Sequence, residues 1–379
     1  MRFVGGRALI AGVLEDTDVH VAAGLIAETG GGAEVNLDGL LLLPGIVDLH
    51  GDAYDRHIAA RRGAVQDMSR GYWNVDAEFG ANGITTAILA QFYSWEGGMR
   101  GPDFARRMMS GLSKARPDLV TDMQLQMRLE VSMVDDFEDA LDMIDAFGIR
   151  YVVFNDHLPR AALRAGKRPP RLNGTALKSG RNPEKHLAYM YEMLENEPRE
   201  EAALTALAAQ LQERGVRLGS HDDATIETRA AYRDMGVAIA EFPETAEVAE
   251  EATAKGEPVI IGAPNVVRGA SHNGNASGRD LAVRGLVDAL VSDYHYPSLI
   301  AAVEVLDREG FVPFEQAWSL VSSGPAAVLG LTDRGHIKPG LRADLTILDP
   351  ETYRVLGTMS AGRWSFLCAG LAARLGGRT

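Results

Sequence analysis

The stretch LLLLPGIVDLHGDAYDRH, residues 40–57, decides how the rest of the chain is read. An apolar run, Leu40 to Val47, ends abruptly in Asp48, His50, Asp52, Asp55 and His57. A short continuous apolar run bounded by Pro and Gly suits a strand buried on both faces, as in a parallel sheet. Imidazoles and carboxylates delivered at its C-terminal end are what an active site built on strand ends needs. His50 and Asp52 stand two apart, so on a strand their side chains share one side.

Seven more segments repeat the pattern. GITTAILA (83–90), MQLQMRLEV (123–131), RYVVFNDH (150–157), VRLGSHDD (216–223), VAIAEFPE (237–244), PVIIGAPN (258–265) and ALVSDYHYPSL (289–299) read as strands. Helical segments separate most of them. Eight strands alternating with helices predict an α/β protein, a closed (β/α)8 TIM-like barrel. No Gly-rich strand–turn–helix fingerprint supports a doubly wound open sheet instead. Short strands in residues 1–39 and a matching β-rich C-terminus predict a small β-sandwich domain made by both termini. The expected boundaries are 1–43 and 336–379 for the small domain and 44–335 for the barrel.

The bulk numbers exclude some classes. A chain of 379 residues suits a barrel plus a small domain. A net charge of -14 disfavours nucleic acid and anionic membrane as partners. No run approaches the roughly 20 apolar residues of a membrane span. The N-terminus lacks the apolar core of a signal peptide, and the single cysteine, Cys368, allows no disulfide within one chain. Together these predict a cytoplasmic protein.

The polar residues at strand ends form a ligand set. His50, His157 and His221 are three imidazoles, and Asp52, Glu130 and Asp293 are three carboxylates. Nitrogen and oxygen donors of this kind suit Zn²⁺, with Mn²⁺ or Fe²⁺ as alternatives. Six ligands exceed the needs of one tetrahedral site, so two divalent ions bridged by Glu130 are expected. Two such ions generate hydroxide and hold attacking and leaving oxygens. Asp293 is the expected proton acceptor, the catalytic residue of the set. A strand-end histidine alone is more often a hydrogen-bonding residue; recurrence at successive strand ends is what raises the set. His20 and His186 lack that context and read as surface residues.

Two further segments point to an anionic substrate. Residues 158–186 carry Arg160, Arg164, Lys167, Arg168, Arg171, Lys178, Arg181 and Lys185 against one acid, Glu184. Such a run usually faces water, but a long loop can also clamp a polyanion. GAPNVVRGASHNGN (262–275) offers backbone N–H groups and Arg268, both suited to phosphate oxygens.

These residues resemble a known family. LPGIVDLHGD (43–52) followed by GHIKPGLRADLTILD (335–349) resembles the amidohydrolase superfamily. The pieces DLHGDAYDRH, RLEV, FNDH, SHDDAT, GAPNVVRGASHNGN and SDYHYPSLI, in order along the barrel, resemble its PhnM-type diphosphatases of phosphonate breakdown. The resemblance implies hydrolysis of the α–β phosphoanhydride of α-D-ribose 1-methylphosphonate 5-triphosphate, giving the 5-phosphate and pyrophosphate. It implies that Arg56, His57, Asn265, Arg268 and His272 contact this small phosphorylated sugar. A homo-oligomer is expected from family habit. The superfamily's strand-one His-x-His is His50-Gly51-Asp52 here, and its Asn-Pro-Ala is Gly324-Pro325-Ala326. The alternative is cleavage of a C–N bond by the same metal site, as in cyclic amidases, deacylases or deaminases.

Overall fold

The computed structural model describes residues 1–59, 67–269 and 276–375. Eight strands lie in sequence order in one sheet: β1 (Ile46–Gly51), β2 (Ile84–Tyr93), β3 (Asp122–Glu130), β4 (Tyr151–Asn155), β5 (Arg217–His221), β6 (Ile239–Glu241), β7 (Val259–Gly262) and β8 (Ala289–Val291). Neighbours run parallel, with Ile46 opposite Ile84, Gln126 opposite Tyr151 and His221 opposite Glu241. A parallel bridge between Gly51 and Asp293 joins the end of β1 to the segment after β8. This is the expected (β/α)8 barrel. All six residues of β1 and all ten of β2 are buried, as parallel strands covered on both faces must be.

The termini build two further sheets. One has four strands, in the order Leu25–Ala27, Val19–Ala22, Arg2–Val4, Glu34–Asn36. The other has six, in the order Arg363–Leu367, Val355–Ser360, Leu345–Leu348, Leu41–Pro44, Arg7–Ile10, Val13–Asp16. Phe3, Val21 and Ile26 pack with Leu42, Ile347 and Met359 in their shared apolar core. Both ends of the chain thus make the small β-domain.

The opening apolar run does two jobs rather than one. Leu41–Pro44 pairs antiparallel with Leu345–Leu348 in the small domain, and only Ile46 onward enters the barrel. Gly45 separates them. Its N–H donates to the Asp344 carbonyl at 2.8 Å, and an added Cβ would stand 2.3 Å from Thr85 Oγ1. Only glycine lets the backbone pass that close.

The departure from Asn-Pro-Ala has a similar cause. A Cβ on Gly324 would lie 2.1 Å from the Asp288 carbonyl oxygen, a backbone atom. Gly324→Asn is expected to destabilise the protein by about 3 kcal/mol or more, because overpacking against backbone has no soft escape. A thermal midpoint equal to that of the parent protein would contradict this.

Contact density divides the chain into two compact units. One comprises residues 1–89, 115–124 and 258–379; the other comprises 90–114 and 125–257. The second holds the basic segment, which is helical rather than a loop: Arg160–Arg164, Leu172–Ser179 and Pro183–Glu195. Asn182 caps the last of these by accepting from the Glu184 N–H, with Pro183 in the first turn. Among the described residues no helix is long and apolar enough to cross a membrane.

Candidate functional site

In the first unit, β1 and the segment after β8 exchange backbone hydrogen bonds. The Asp293 N–H donates to the His50 carbonyl at 3.0 Å, and the Asp52 N–H donates to the Asp293 carbonyl at 2.9 Å. Three of the expected ligands therefore belong to one backbone knot. His50 is fully buried, and Asp293 has a left-handed backbone, φ 55°. Asp48, absent from the expected ligand set, anchors the knot: its carboxylate accepts from the Ser292 N–H at 3.0 Å and from the Ser292 hydroxyl at 2.5 Å. Burial pushes the Asp48 carboxyl above its usual range, against the lowering effect of these bonds and of His50.

The expected substrate contacts are placed unevenly. Arg56 and His57 each spend one nitrogen on Glu78, His57 Nε2 at 2.6 Å. Burial and the charge of Arg56 lower the proton affinity of His57. Arg268 pairs with the Tyr294 hydroxyl and lines a cavity of about 220 Å³ with Tyr294, His295 and Ser298, beside Asp293 in the chain. Asn265 sits in the short helix Ala263–Arg268. His272 lies outside the described residues.

In the second unit, Glu130 closes β3 and is fully buried. The His157 N–H donates to Glu130 Oε2 at 3.1 Å, and His157 Nδ1 pairs with Oε1. Burial lowers the proton affinity of His157, but the bond to Glu130 and its charge outweigh that, and the net direction is up. His221 ends β5 opposite Glu241, which ends β6, and their ligand atoms lie within 4.8 Å of one another. Glu241 is fully buried and accepts from Gln126 Nε2 at 2.8 Å and from the Tyr151 hydroxyl. Sequence placed Glu241 at a strand end without a role; its register with His221 supplies the reason to add it. His221 Nδ1 stands 2.9 Å from Asp222 Oδ2, and its Nε2 faces the Arg128 guanidinium at 3.0 Å. The carboxylate favours a proton on Nδ1, which makes Nε2 the acceptor of the Arg128 N–H; to bind a metal through Nε2, His221 has to exchange that contact.

The donor set fits divalent ions. Among the described residues no Lys or Arg pairs with Glu130; its partners are His157 and that residue's own N–H. A buried carboxylate so placed calls for a cation. Glu96, Glu130 and His157 each offer a ligand atom, all within 4.8 Å of one another.

Two expectations change. His186 is fully buried rather than on the surface, because its helix turns it against Trp95, with ring centroids 5.7 Å apart. The basic segment is compensated in part. Arg160 reaches Asp156 at 2.8 Å and Glu200 at 2.9 Å, Arg164 pairs with Glu197, and Arg168 reaches Glu184 at 2.8 Å.

The chain has relatives. A model of the Amidohydrolase family matches residues 161–356. The α-D-ribose 1-methylphosphonate 5-triphosphate diphosphatase of Escherichia coli (strain K12) is 31% identical over 359 residues, covering 92% of this chain and 93% of that protein. Among solved structures, a beta-aspartyl dipeptidase from Fervidobacterium islandicum AW-1 superposes with a TM-score of 0.62 at 13% identity, over 97% of this chain and 96% of that one. An N-acetyl-D-glucosamine-6-phosphate deacetylase from Mycobacterium smegmatis does so with a TM-score of 0.62 at 16% identity, over 96% and 99%. At such identities these two speak for the fold alone. The near full-length match to the diphosphatase, joined to the family match and to the barrel, establishes that this chain belongs to the amidohydrolase family, on the branch that carries that diphosphatase.

Proposed function

We propose that the protein is a metal-dependent diphosphatase that cleaves the α–β phosphoanhydride of α-D-ribose 1-methylphosphonate 5-triphosphate, releasing pyrophosphate. The observation that carries this reading is the 31% identity, spread over 92% of the chain, to a protein with that activity. In it His50, Asp52, Glu130, His157, His221 and Asp293 hold two divalent ions, with zinc the first choice and manganese or iron the alternatives. When bound, such ions supply a water nucleophile at neutral pH and charge to meet the departing oxygen.

The chain's own residues do the rest. Asp293 accepts the proton of the attacking water, and its backbone, tied to His50 and Asp52, keeps the carboxylate in register with them. Arg268, through the cavity it shares with Tyr294 and His295, neutralises phosphate oxygens, as does His272. Asn265, at the start of the same segment, orients the sugar phosphate. Arg56 and His57 act through Glu78, which holds them beside β1. Charge neutralisation and positioning account for most catalysis expected of phosphoryl transfer. The protein works in the cytoplasm on this small molecule, as a homo-oligomer.

The test is a comparison of initial rates. Metal-loaded protein is given that triphosphate, a β-aspartyl dipeptide and N-acetylglucosamine 6-phosphate. Hydrolysis of the triphosphate faster than both amides by 10³-fold or more, roughly the discrimination a site built for polar groups achieves, is expected. Preference for an amide would replace the proposal with C–N hydrolysis.

A further inference from the structure

Glu96 lies outside the ligand set that the strand ends and the family suggest. It sits three residues past β2, in the turn Ser94–Gly97. That turn is well fixed. The Glu96 N–H donates to Ser94 Oγ at 3.1 Å, the Gly97 N–H to the Ser94 carbonyl at 3.2 Å, and the Ser94 N–H to the Arg100 carbonyl at 2.8 Å. The side chain is fixed as well. Arg100 donates to Glu96 Oε2 at 2.6 Å while its guanidinium stacks 4.2 Å from the centre of the Phe92 ring. The carboxylate is mostly buried, with 15% of the side chain exposed.

So held, Glu96 brings an oxygen to within 4.8 Å of ligand atoms of Glu130 and His157. Ligands bonded at about 2.1 Å to one ion stand no more than about 4.2 Å apart. A cation would tighten this triangle rather than assemble it. Two carboxylates this close, one of them fully buried, need positive charge beside them; Arg100 meets Glu96 from the outer side and His157 meets Glu130, and an ion within the triangle would meet both carboxylates at once.

We propose that Glu96 is a metal ligand, completing with Glu130 and His157 a position of two carboxylates and one imidazole. This rests on the metal-dependent reading above and adds a ligand to it. The competing role for Glu96 is a structural ion pair with Arg100, in which a protonated His157 offsets the charge of Glu130.

Mn²⁺ titration of the full-length, chelator-stripped protein, followed by calorimetry and by the Mn²⁺ electron spin signal, separates these roles without any activity assay. Glu96→Gln keeps a hydrogen bond for Arg100 but is a poor ligand. Its affinity at one Mn²⁺ site is expected to fall by roughly 100-fold or more, beyond what loss of a supporting contact costs. Arg100→Met, which breaks the ion pair and spares the ligand, is expected to stay within about threefold of the parent. Unchanged Mn²⁺ binding by Glu96→Gln overturns the proposal, and if Glu130→Gln then loses Mn²⁺, the metal-dependent reading survives without it. Equal losses in Glu96→Gln and Arg100→Met overturn it too, since Glu96 would then act only through the ion pair. A parent protein that binds no Mn²⁺, Zn²⁺ or Fe²⁺ overturns both readings together.

Discussion

Replacing Asp293 with asparagine is expected to slow triphosphate hydrolysis by about 10²–10⁴-fold, the range over which a positioned proton acceptor contributes. The substitution is mild everywhere else. Asp293 has φ 55°, a left-handed conformation that asparagine adopts readily, and its N–H and carbonyl bonds to His50 and Asp52 belong to the backbone. The variant should therefore fold and keep the knot between β1 and the segment after β8. Metal content measured on the same samples shows whether the loss is one of chemistry or of loading. Normal loading together with normal turnover would remove Asp293 from its assigned role.

The largest expected effect on stability lies at Arg229, whose side chain is fully buried. Its guanidinium reaches Asp223 Oδ2 at 3.0 Å, Glu257 Oε2 at 3.3 Å and Ser220 Oγ at 2.7 Å, and it donates to the Val237 and Ile239 carbonyls. Burial pushes the Asp223 carboxyl above its usual range, though Ser220 and Arg229 pull it down. Arg229→Met leaves the buried Asp223 carboxylate without its cation, while Glu257 keeps Arg233 at 2.7 Å and 2.9 Å, and is expected to cost about 3–5 kcal/mol. Ser220 precedes His221, and Ile239 begins the strand that ends in Glu241, so the cost falls on elements that carry candidate ligands. Urea denaturation measures it. Adding Asp223→Asn should restore part of the loss by removing the stranded charge. A midpoint equal to that of the parent would show that the buried pair is dispensable.

Much of this architecture is legible in the sequence, for a physical reason. A strand covered on both faces must be apolar along its length, and its end must turn polar where it meets the open mouth of a barrel. The change from Val47 to Asp48 and His50, or from Val291 to Asp293, records that boundary directly. Other features depend on partners distant in sequence. The division of Leu40–Val47 between two sheets depends on Thr85 crowding Gly45 and on the Leu345–Leu348 strand. The charge of residues 158–186 is balanced in part by Glu197 and Glu200, beyond the segment in which the charges were counted. His186 reads as exposed beside Glu184 and Lys185 until Trp95 covers it. Glu241 gains meaning only from its register with His221. Glu96 lies in a turn, and no strand-end pattern reaches it.

The central claim is tested most directly by ³¹P NMR of the metal-loaded protein incubated with α-D-ribose 1-methylphosphonate 5-triphosphate. The account predicts pyrophosphate appearing together with the 5-monophosphate, which places the cut at the α–β bond. Orthophosphate alone would move the cut to the terminal bond, and an unchanged spectrum with metal confirmed bound would contradict the diphosphatase reading itself.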